Sequence, residues 1–474
     1  MAIFYSGRDA PYLLGTQLKT SDYLREPGEV VLSINATGET LGSLTGRLGY
    51  EIVGSQIGAG QSSGGLFTYT PLNSSALLVD VSGGAVHTST GDGFTNRGAI
   101  LSGAEVDAAN YLNLLFMVGY NSSTNTFATN TILNGTTLST THDALTNMPQ
   151  GKVAATYQQL LYVGNALVSG TRYPSRVYFC GTPSASGSID WDIVNDYISV
   201  PADDNEEVTA LDVNSNRLLI FKERSLYRWD ENSLSFVSRD GTPTHNSVQT
   251  VGYFTFFANA DGIFVYSGGK PKKISQKIQP VIDNIASLTA VRSSQDADHY
   301  YLYIGDVTFP LPSNENITIT NCEIVYTIST NSFYLYSLAD EVTNMADFTD
   351  GRVYFANDDG EVFEMARQGD SVYSDNGSPI SSHIRCRTPI VSPYLKKRVS
   401  QMFVLSERAQ GMTCRARVDD GDFQHENQLN SRMENFPVAL EGFVFEFEVS
   451  HSSILPPPIL NGFVFDATVA EVKK

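Results

Sequence analysis

The sequence predicts an all-β protein: a β-propeller of about six to seven blades with an additional β-sandwich-like platform or extension domain. Three observations lead to this prediction. Helical periodicity is almost absent from the 474 residues, whereas aromatic residues and the turn formers Gly, Ser, Thr and Asn are abundant. Short apolar runs alternate with short polar spacers, which is typical of β-hairpins. One hairpin pattern also recurs, and repeated hairpins without intervening helices indicate a propeller or a related β array.

The clearest hairpins lie between residues 217 and 288. Residues 218–221 are all apolar, residues 226–229 alternate, and the short spacer between them predicts a hairpin. A second hairpin is predicted for residues 254–259 and 263–266, where Gly262 is expected to supply the positive φ of a tight turn. A short amphipathic helix should follow, with Pro280 in its first turn. Its apolar stripe would consist of Ile278, Val281, Ile282 and Ile285.

The second hairpin recurs further along the chain. FFANADGIFV at 256–265 matches YFANDDGEVF at 354–363, with Phe, Ala, Asn, Asp and Gly in the same register. Similar hairpins are predicted at 77–89, turning at Gly83-Gly84, and at 322–338, turning near 329–331. We therefore expect several blades of related construction.

The composition divides the chain into three parts. Residues 1–50 contain too few apolar side chains to fold alone, so we expect an N-terminal arm that packs on the platform or on neighbouring subunits. Residues 51–385 should form the propeller. The stretch 369–382 resembles a linker, and the strand pattern changes after it, so residues 386–474 should form a C-terminal β domain.

Charge and cysteine content exclude several classes of protein. The net charge of −20 should repel free nucleic acid from most of the surface, although it also serves solubility. The four cysteines have no metal-site spacing and are expected to be buried free thiols. No basic segment followed by an apolar one marks a secretion signal, and no apolar run approaches membrane-spanning length. We expect no cofactor and no metal.

Two short motifs suggest chemistry, but their surroundings favour turns. Residues 60–64 match G-x-S-x-G, yet a nucleophile elbow joins a strand to a helix, and no helix is predicted here. Residues 212–216 resemble the start of a calcium loop, but Arg217 occupies the position of the required glycine. Glycosidase chemistry would need a close pair of carboxylates. Candidates by type are Asp190, Asp192, Asp203, Asp204, Glu206 and Glu207. The sequence predicts no catalytic residues.

Charged clusters are the remaining candidate sites. One acidic run is expected to face a lumen or a subunit interface; it consists of Asp203, Asp204, Glu206 and Glu207. Two basic clusters on an acidic background could contact an acidic partner surface during assembly, or they could be solvated loop charges. They consist of Lys270, Lys272 and Lys273, and of Lys396, Lys397 and Arg398.

Several segments together resemble a known family. They are TGETLGSLTGRLGY at 37–50, YQQLLYVGNALVSGTRYPSRVYFCG at 157–181, RLLIFKERSLYRWD from residue 217 and VGYFTFFANADGIFVYSGGKPKKISQKI from residue 251. The combination resembles the propeller-bearing tail nozzles of short-tailed bacteriophages, which are related to packaged-DNA stabilisation proteins. The resemblance implies a structural virion protein that is assembled in the host cytoplasm. It also implies a ring, usually a homohexamer, below the portal and adaptor.

Such a ring would retain packaged double-stranded DNA and conduct it during ejection, with tail fibre or spike proteins as further partners. The acidic charge agrees with this role, because each Lys or Arg contact to phosphate would slow the passage of DNA. Two alternatives remain: a propeller module that binds a host-surface glycan or receptor, and a glycosidase-like enzyme.

Overall fold

The computed structural model describes residues 15–18, 30–38, 43–57, 60–91, 93–183, 189–201, 206–388, 396–408 and 411–469. It is an all-β structure. The helical segments in these ranges are three 3₁₀ turns and one short α-helix: Asp143–Leu145, His245–Ser247, Ser275–Ile278 and α1 (Gln279–Ile282). In the described part of the chain, no helix is both long and apolar enough to cross a membrane.

The N-terminal arm and the first three blades come first in the chain. The arm contains β1 (Leu32–Ile34), β2 (Ala36–Thr37), β3 (Leu44–Gly46) and β4 (Tyr50–Ile52). Blade 1 contains β5 (Ser63–Tyr69), β6 (Leu77–Ser82), β7 (Ala85–Ser89) and β8 (Thr95–Ala99). Blade 2 contains β9 (Glu105–Tyr111), β10 (Leu114–Asn121), β11 (Thr126–Phe127), β12 (Thr131–Asn134) and β13 (Thr137–Ser139). Blade 3 contains β14 (Val153–Tyr157), β15 (Leu160–Val168), β16 (Thr171–Phe179) and β17 (Tyr197–Ser199).

Four more blades follow. Blade 4 contains β18 (Val208–Asn214), β19 (Arg217–Lys222), β20 (Leu226–Trp229) and β21 (Leu234–Ser238). Blade 5 contains β22 (Gln249–Val251), β23 (Phe254–Asn259), β24 (Gly262–Tyr266) and β25 (Lys272–Lys273). Blade 6 contains β26 (Arg292–Gln295), β27 (His299–Pro310), β28 (Asn316–Thr327) and β29 (Ser332–Ser337). Blade 7 contains β30 (Asn344–Asp347), β31 (Val353–Ala356) and β32 (Val362–Met365).

The described residues thus form a seven-bladed β-propeller. Within each blade the strands pair antiparallel, and the first strand of each blade packs against the first strand of the next. β30 of blade 7 packs against β5 of blade 1, which closes the ring. The arm supplies the outermost strand of the last blade, because β4 pairs antiparallel with β32. The two ends of the propeller are therefore held together by main-chain hydrogen bonds.

A β-sandwich follows the propeller. Its strands are β33 (Ser374–Asp375), β34 (Ser378–Thr388), β35 (Lys397–Glu407), β36 (Met412–Val418), β37 (Gln424–Leu429), β38 (Met433–Gly442), β39 (Phe445–Ser453) and β40 (Ile459–Val469). One sheet has the order β34-β39-β36-β37, and the other has the order β2-β3-β40-β35-β38. Apolar side chains of both sheets share one core, in which the rings of Phe447 and Phe463 stack 5.7 Å apart. We call this part the terminal sandwich.

The propeller and the terminal sandwich share strands. β1 lies between β29 of blade 6 and β34, so the sheet of blade 6 continues into the sandwich. β33 lies within the stretch 369–382 that the sequence predicts to be a linker, and β34 begins in its last five residues. Its polar residues face a neighbouring strand on each side, which composition alone does not show. The predicted boundary at 385/386 lies inside β34, and the three-part division of the chain stays a prediction.

Most local predictions are confirmed. Each predicted hairpin is present, and Pro280 lies in the first turn of a helix that is shorter than expected. All four cysteines fall within the described ranges, where they are buried and free. The prediction for Gly262 is wrong, because its φ lies outside the left-handed region. A Cβ at Gly262 would lie 2.5 Å from the Ser275 hydroxyl oxygen, so close packing requires this glycine.

Candidate functional site

The first strands of the blades surround an axial cavity of about 720 Å³. Its walls are polar, and three carboxylates lie in them: Asp107 of blade 2, Asp212 of blade 4 and Asp347 of blade 7. His245, in the 3₁₀ turn before blade 5, also lines the cavity. The first strand is the innermost strand of each blade, so its side chains lie beside the axis and beside the neighbouring blades.

Each axial carboxylate connects its own blade to a neighbour. Asp107 accepts hydrogen bonds from the main-chain nitrogens of Ala108, at 2.8 Å, and of Ala154 in blade 3, at 2.9 Å. Asp212 accepts from the Thr250 hydroxyl of blade 5. Asp347 accepts from the Gln295 amide of blade 6 at 2.9 Å. These carboxylates therefore stabilise the ring as well as line its axis.

Burial changes the acidity of the axial carboxylates. Burial raises the pKa of Asp107, and the hydrogen bond from the Ala154 main chain opposes the shift. Burial also raises the pKa of Asp347, and the hydrogen bond from Gln295 opposes it. Burial raises the pKa of Asp212 to about 6, and the Thr250 hydroxyl opposes it. Near neutral pH these groups hold protons more readily than exposed aspartates do. Among the described residues, no group of three His, Cys, Asp or Glu side chains is arranged to hold a metal ion.

A second set of inter-blade contacts lies at the turn between the first and second strands of a blade. The last residue of a first strand donates a side-chain hydrogen bond to a main-chain carbonyl in the corresponding turn of the next blade. The four contacts are Tyr69 to Asn113 at 2.7 Å, Tyr111 to Gln159 at 2.9 Å, Tyr157 to Asn216 at 3.0 Å and Asn214 to Tyr253 at 3.1 Å. We call them the turn contacts. They were not predicted from the sequence.

The predicted acidic run is described only in part. Asp203 and Asp204 lie outside the described residues. Glu206 lies 3.8 Å from the Arg224 guanidinium, and Glu207 pairs with Lys152 at 2.9 Å and with Arg172. Although burial opposes it, Lys152 and Arg172 hold the pKa of Glu207 below its usual range. Both glutamates therefore have partners within the chain, and a lumen-facing role stays a prediction.

The two predicted basic clusters differ in exposure, because the second one contains a buried lysine. Lys270 and Lys272 are exposed at the outer edge of blade 5, and Lys273 is half-buried. Lys396 pairs with Glu441 at 2.9 Å on the surface, and Arg398 is exposed. Lys397 is fully buried, and its ammonium donates to the Phe443 carbonyl at 3.0 Å. Because neighbouring side chains on a strand point to opposite faces, this second cluster does not form one surface.

A charged network that was not predicted from the sequence lies at the junction of blade 6 and the terminal sandwich. Three adjacent strands place arginines on both sides of two glutamates, with Arg385 and Arg415 opposite Glu448, and Arg387 and Arg417 opposite Glu446. Both glutamate side chains are only 3% exposed. The ion pairs measure 2.5 Å for Arg385–Glu448, 2.6 Å for Arg415–Glu448, 3.1 Å for Arg387–Glu446 and 2.8 Å for Arg417–Glu446. We call this network the Arg–Glu ladder.

The Arg–Glu ladder reaches blade 6 through Glu315. This residue lies beside the long strand β28 and pairs with Arg385 at 2.8 Å and with Arg417 at 3.0 Å. The Phe423 ring covers the ladder, with its centroid 4.4 Å from the guanidinium carbons of Arg415 and Arg417. The alternating pattern R-x-R, R-x-R and E-x-E at 385–387, 415–417 and 446–448 was the available sequence signal.

Comparison with known proteins shows no family for this chain. No protein-family model and no curated protein matches the chain. Among solved structures, the WD40 β-propeller domain of Doa1 is similar at a TM-score of 0.41 and 12% identity, over 68% of this chain and 98% of that one. Streptogramin B lyase is similar at a TM-score of 0.41 and 11% identity, over 68% of this chain and 98% of that one. BamB from Moraxella catarrhalis is similar at a TM-score of 0.36 and 11% identity, over 78% of this chain and 99% of that one. The propeller assignment itself rests on the strand pairing described above.

Proposed function

We propose that this chain is a non-enzymatic structural subunit of a short-tailed bacteriophage virion, namely a tail nozzle. Copies of the chain, in the family usually six, would form a ring below the portal and adaptor. The ring would hold packaged DNA and conduct it during ejection, with tail fibres or spikes attached nearby. The segments that resemble tail nozzles support this assignment, and the arrangement of charge is the observation that carries it.

The arrangement of charge fits a surface along which DNA slides. The chain carries 51 acidic and 31 basic residues. Several of the arginines are not available to phosphate, because the Arg–Glu ladder holds four of them against glutamates. Arg47, only 2% exposed, is likewise held by Asp375. Since basic side chains supply most of the affinity for DNA, a conduit made of such surfaces would bind the duplex weakly.

The propeller axis cannot itself be the conduit. Its cavity has a volume of about 720 Å³, and its walls are first strands that pack against one another. The major groove of DNA alone is about 12 Å wide, so a whole duplex does not fit along this axis. The proposed channel therefore lies between copies of the chain, and each propeller forms a rigid wall segment.

Particle analysis of the purified full chain by mass photometry and negative-stain microscopy tests ring formation, alone and with the adaptor. We expect closed rings that do not retain duplex DNA at physiological ionic strength. The double variant Lys270→Glu, Lys272→Glu should reduce ring formation if this cluster contacts a neighbouring copy. The matched control, Arg239→Glu together with Arg432→Glu, changes two exposed arginines outside the predicted clusters and should preserve rings. Tight DNA binding by a chain that stays monomeric in the presence of adaptor would contradict the proposal.

A further inference from the structure

A second cavity, of about 820 Å³, lies where blades 6 and 7 meet the arm and the terminal sandwich. We call it the junction cavity. Blade 6 contributes the turn at Asp296 and the ring of Tyr301, and blade 7 contributes Arg352. Tyr373 comes from the segment before β33, and Ile459 comes from β40. Since several separate parts of the chain form its walls, the cavity exists only in the assembled fold.

The polar side chains of the junction cavity are held in fixed positions. Asp296 accepts hydrogen bonds from the Tyr301 hydroxyl at 2.9 Å and from the main-chain nitrogen of Asp298 at 2.8 Å. The Asp298 carboxylate accepts from the main-chain nitrogen of Ser329 at 2.9 Å and from its hydroxyl at 2.6 Å. The Arg352 guanidinium lies 3.3 Å from Asp370. A ligand would therefore meet groups whose orientation is already set, which reduces the entropy cost of binding.

Two hydroxyls in the wall, those of Thr327 and Thr330, lack a hydrogen-bond partner among the described residues. Thr327 lines the cavity and is 7% exposed, and its hydroxyl oxygen has no partner among the described residues. A buried hydroxyl without a partner is unfavourable, and most buried polar groups in proteins are satisfied. A bound molecule with hydroxyl groups of its own could satisfy Thr327.

The charge of the walls points to a neutral ligand. Four aspartates and four arginines line the junction cavity, so their formal charges cancel in a chain whose net charge is −20. The half-buried rings of Tyr301 and Tyr373 add flat apolar faces beside these polar groups. Flat apolar rings next to fixed hydrogen-bonding groups complement a sugar, which has apolar C–H faces and a rim of hydroxyls.

We propose that the junction cavity is a binding site for a neutral oligosaccharide. A volume of about 820 Å³ lies within the range typical of small-molecule sites. The proposal does not depend on the nozzle function, because it concerns a cavity within one chain and can be tested without particles.

Saturation-transfer NMR and calorimetry of the full chain test this site. The probes are neutral di- and trisaccharides of glucose, galactose, mannose and N-acetylglucosamine, with sialyllactose as the charged comparison. At least one neutral sugar should bind, and more tightly than sialyllactose. Tyr373→Ala should weaken this binding at least tenfold. The matched control is Tyr253→Ala, a tyrosine that is 77% exposed on another face, and it should leave binding unchanged.

Thr327→Val separates a binding role from a structural one. Valine has nearly the same shape but no hydroxyl, so the variant should fold with an equal or higher melting temperature and bind the sugar several-fold more weakly. Absence of binding for every neutral sugar would overturn the proposal. Binding that survives both Tyr373→Ala and Thr327→Val, or preference for the charged sugar, would overturn it as well.

Discussion

Two kinds of interface connect the parts of this molecule, and their chemistry differs. Neighbouring blades are connected by repeated single hydrogen bonds, such as the turn contact from Tyr157 to the Asn216 carbonyl at 3.0 Å. The junction of blade 6, the arm and the terminal sandwich is instead connected by buried charges. Examples are Arg385–Glu448 at 2.5 Å and the pair Arg47–Asp375, whose side chains are 2% and 4% exposed.

This difference predicts how mutations at each kind of contact change the stability of the fold. Turn contacts, axial carboxylates and apolar side chains all connect neighbouring blades, so the loss of one hydrogen bond removes a small fraction of the contact between them. The charged junction depends on a few groups, and a buried charge that loses its partner keeps its full desolvation cost. We therefore expect mutations at the junction to be more destabilising than mutations between blades.

The largest expected effect follows from Glu448→Gln. Glu448 lies between Arg385 and Arg415, so the neutral glutamine leaves two guanidinium groups without their shared counter-charge. We expect the free energy of unfolding to fall by about 3–5 kcal/mol, measured by urea denaturation. Glu441→Gln is the control, because Glu441 pairs with Lys396 at the surface and should not change the melting temperature. Equal effects of the two variants would remove the distinction between buried and exposed pairs.

A smaller effect, visible as pH dependence, is expected at Glu323. This residue of β28 is fully buried, and neither carboxylate oxygen has a hydrogen-bond partner in the described part of the chain. Burial raises the pKa of Glu323 to about 8 from an ordinary value of 4.5, while Arg47 opposes the shift and Asp375 adds to it. The folded protein thus keeps a proton that the unfolded chain releases between these two pKa values.

The stabilisation from this proton is complete below pH 4.5 and is lost as the pH rises through about 8. Between pH 6 and pH 8 the free energy of unfolding of the native chain should fall by about 2 kcal/mol relative to that of Glu323→Gln. Urea denaturation of both chains at several pH values measures this difference. If the free energy of unfolding changed with pH in the same way for both proteins, Glu323 would be ionised in the folded chain and the account would be wrong.

The smallest effect is expected between blades. Tyr157→Phe removes one hydroxyl and leaves the Asn216 carbonyl without that donor, which should cost about 1 kcal/mol. Tyr253→Phe, at an exposed ring, is the control and should have no effect. Differential scanning calorimetry measures both. A loss of stability from Tyr157→Phe as large as that from Glu448→Gln would contradict the account in which each inter-blade hydrogen bond contributes little.

The sequence predicted local structure well because the hairpin signal is local. The pair FFANADGIFV and YFANDDGEVF marks β23–β24 and β31–β32, the second and third strands of blades 5 and 7. The blade number was left at six to seven because strands and connections differ in length from blade to blade. The turn residues also hide the repeat, since Leu112, Gln158 and Gln159 adopt positive φ where glycine or asparagine would be expected.

Long-range pairings could not be predicted from the sequence. β4 has three residues, and nothing in Tyr-Glu-Ile indicates that it closes blade 7. The Arg–Glu ladder depends on three strands that are brought into register by the fold, although each strand shows its charges at alternate positions. The predicted charged clusters were chosen by density along the chain, whereas the structure pairs charges across strands.

The most direct test of the proposed function is a count of this chain in purified phage particles of its source. Quantitative mass spectrometry with labelled standard peptides would compare its copy number with that of the portal protein. Against a twelve-fold portal, the nozzle account predicts about half as many copies of this chain. Absence from the particle, or a copy number that no ring on the portal axis can explain, would contradict the account.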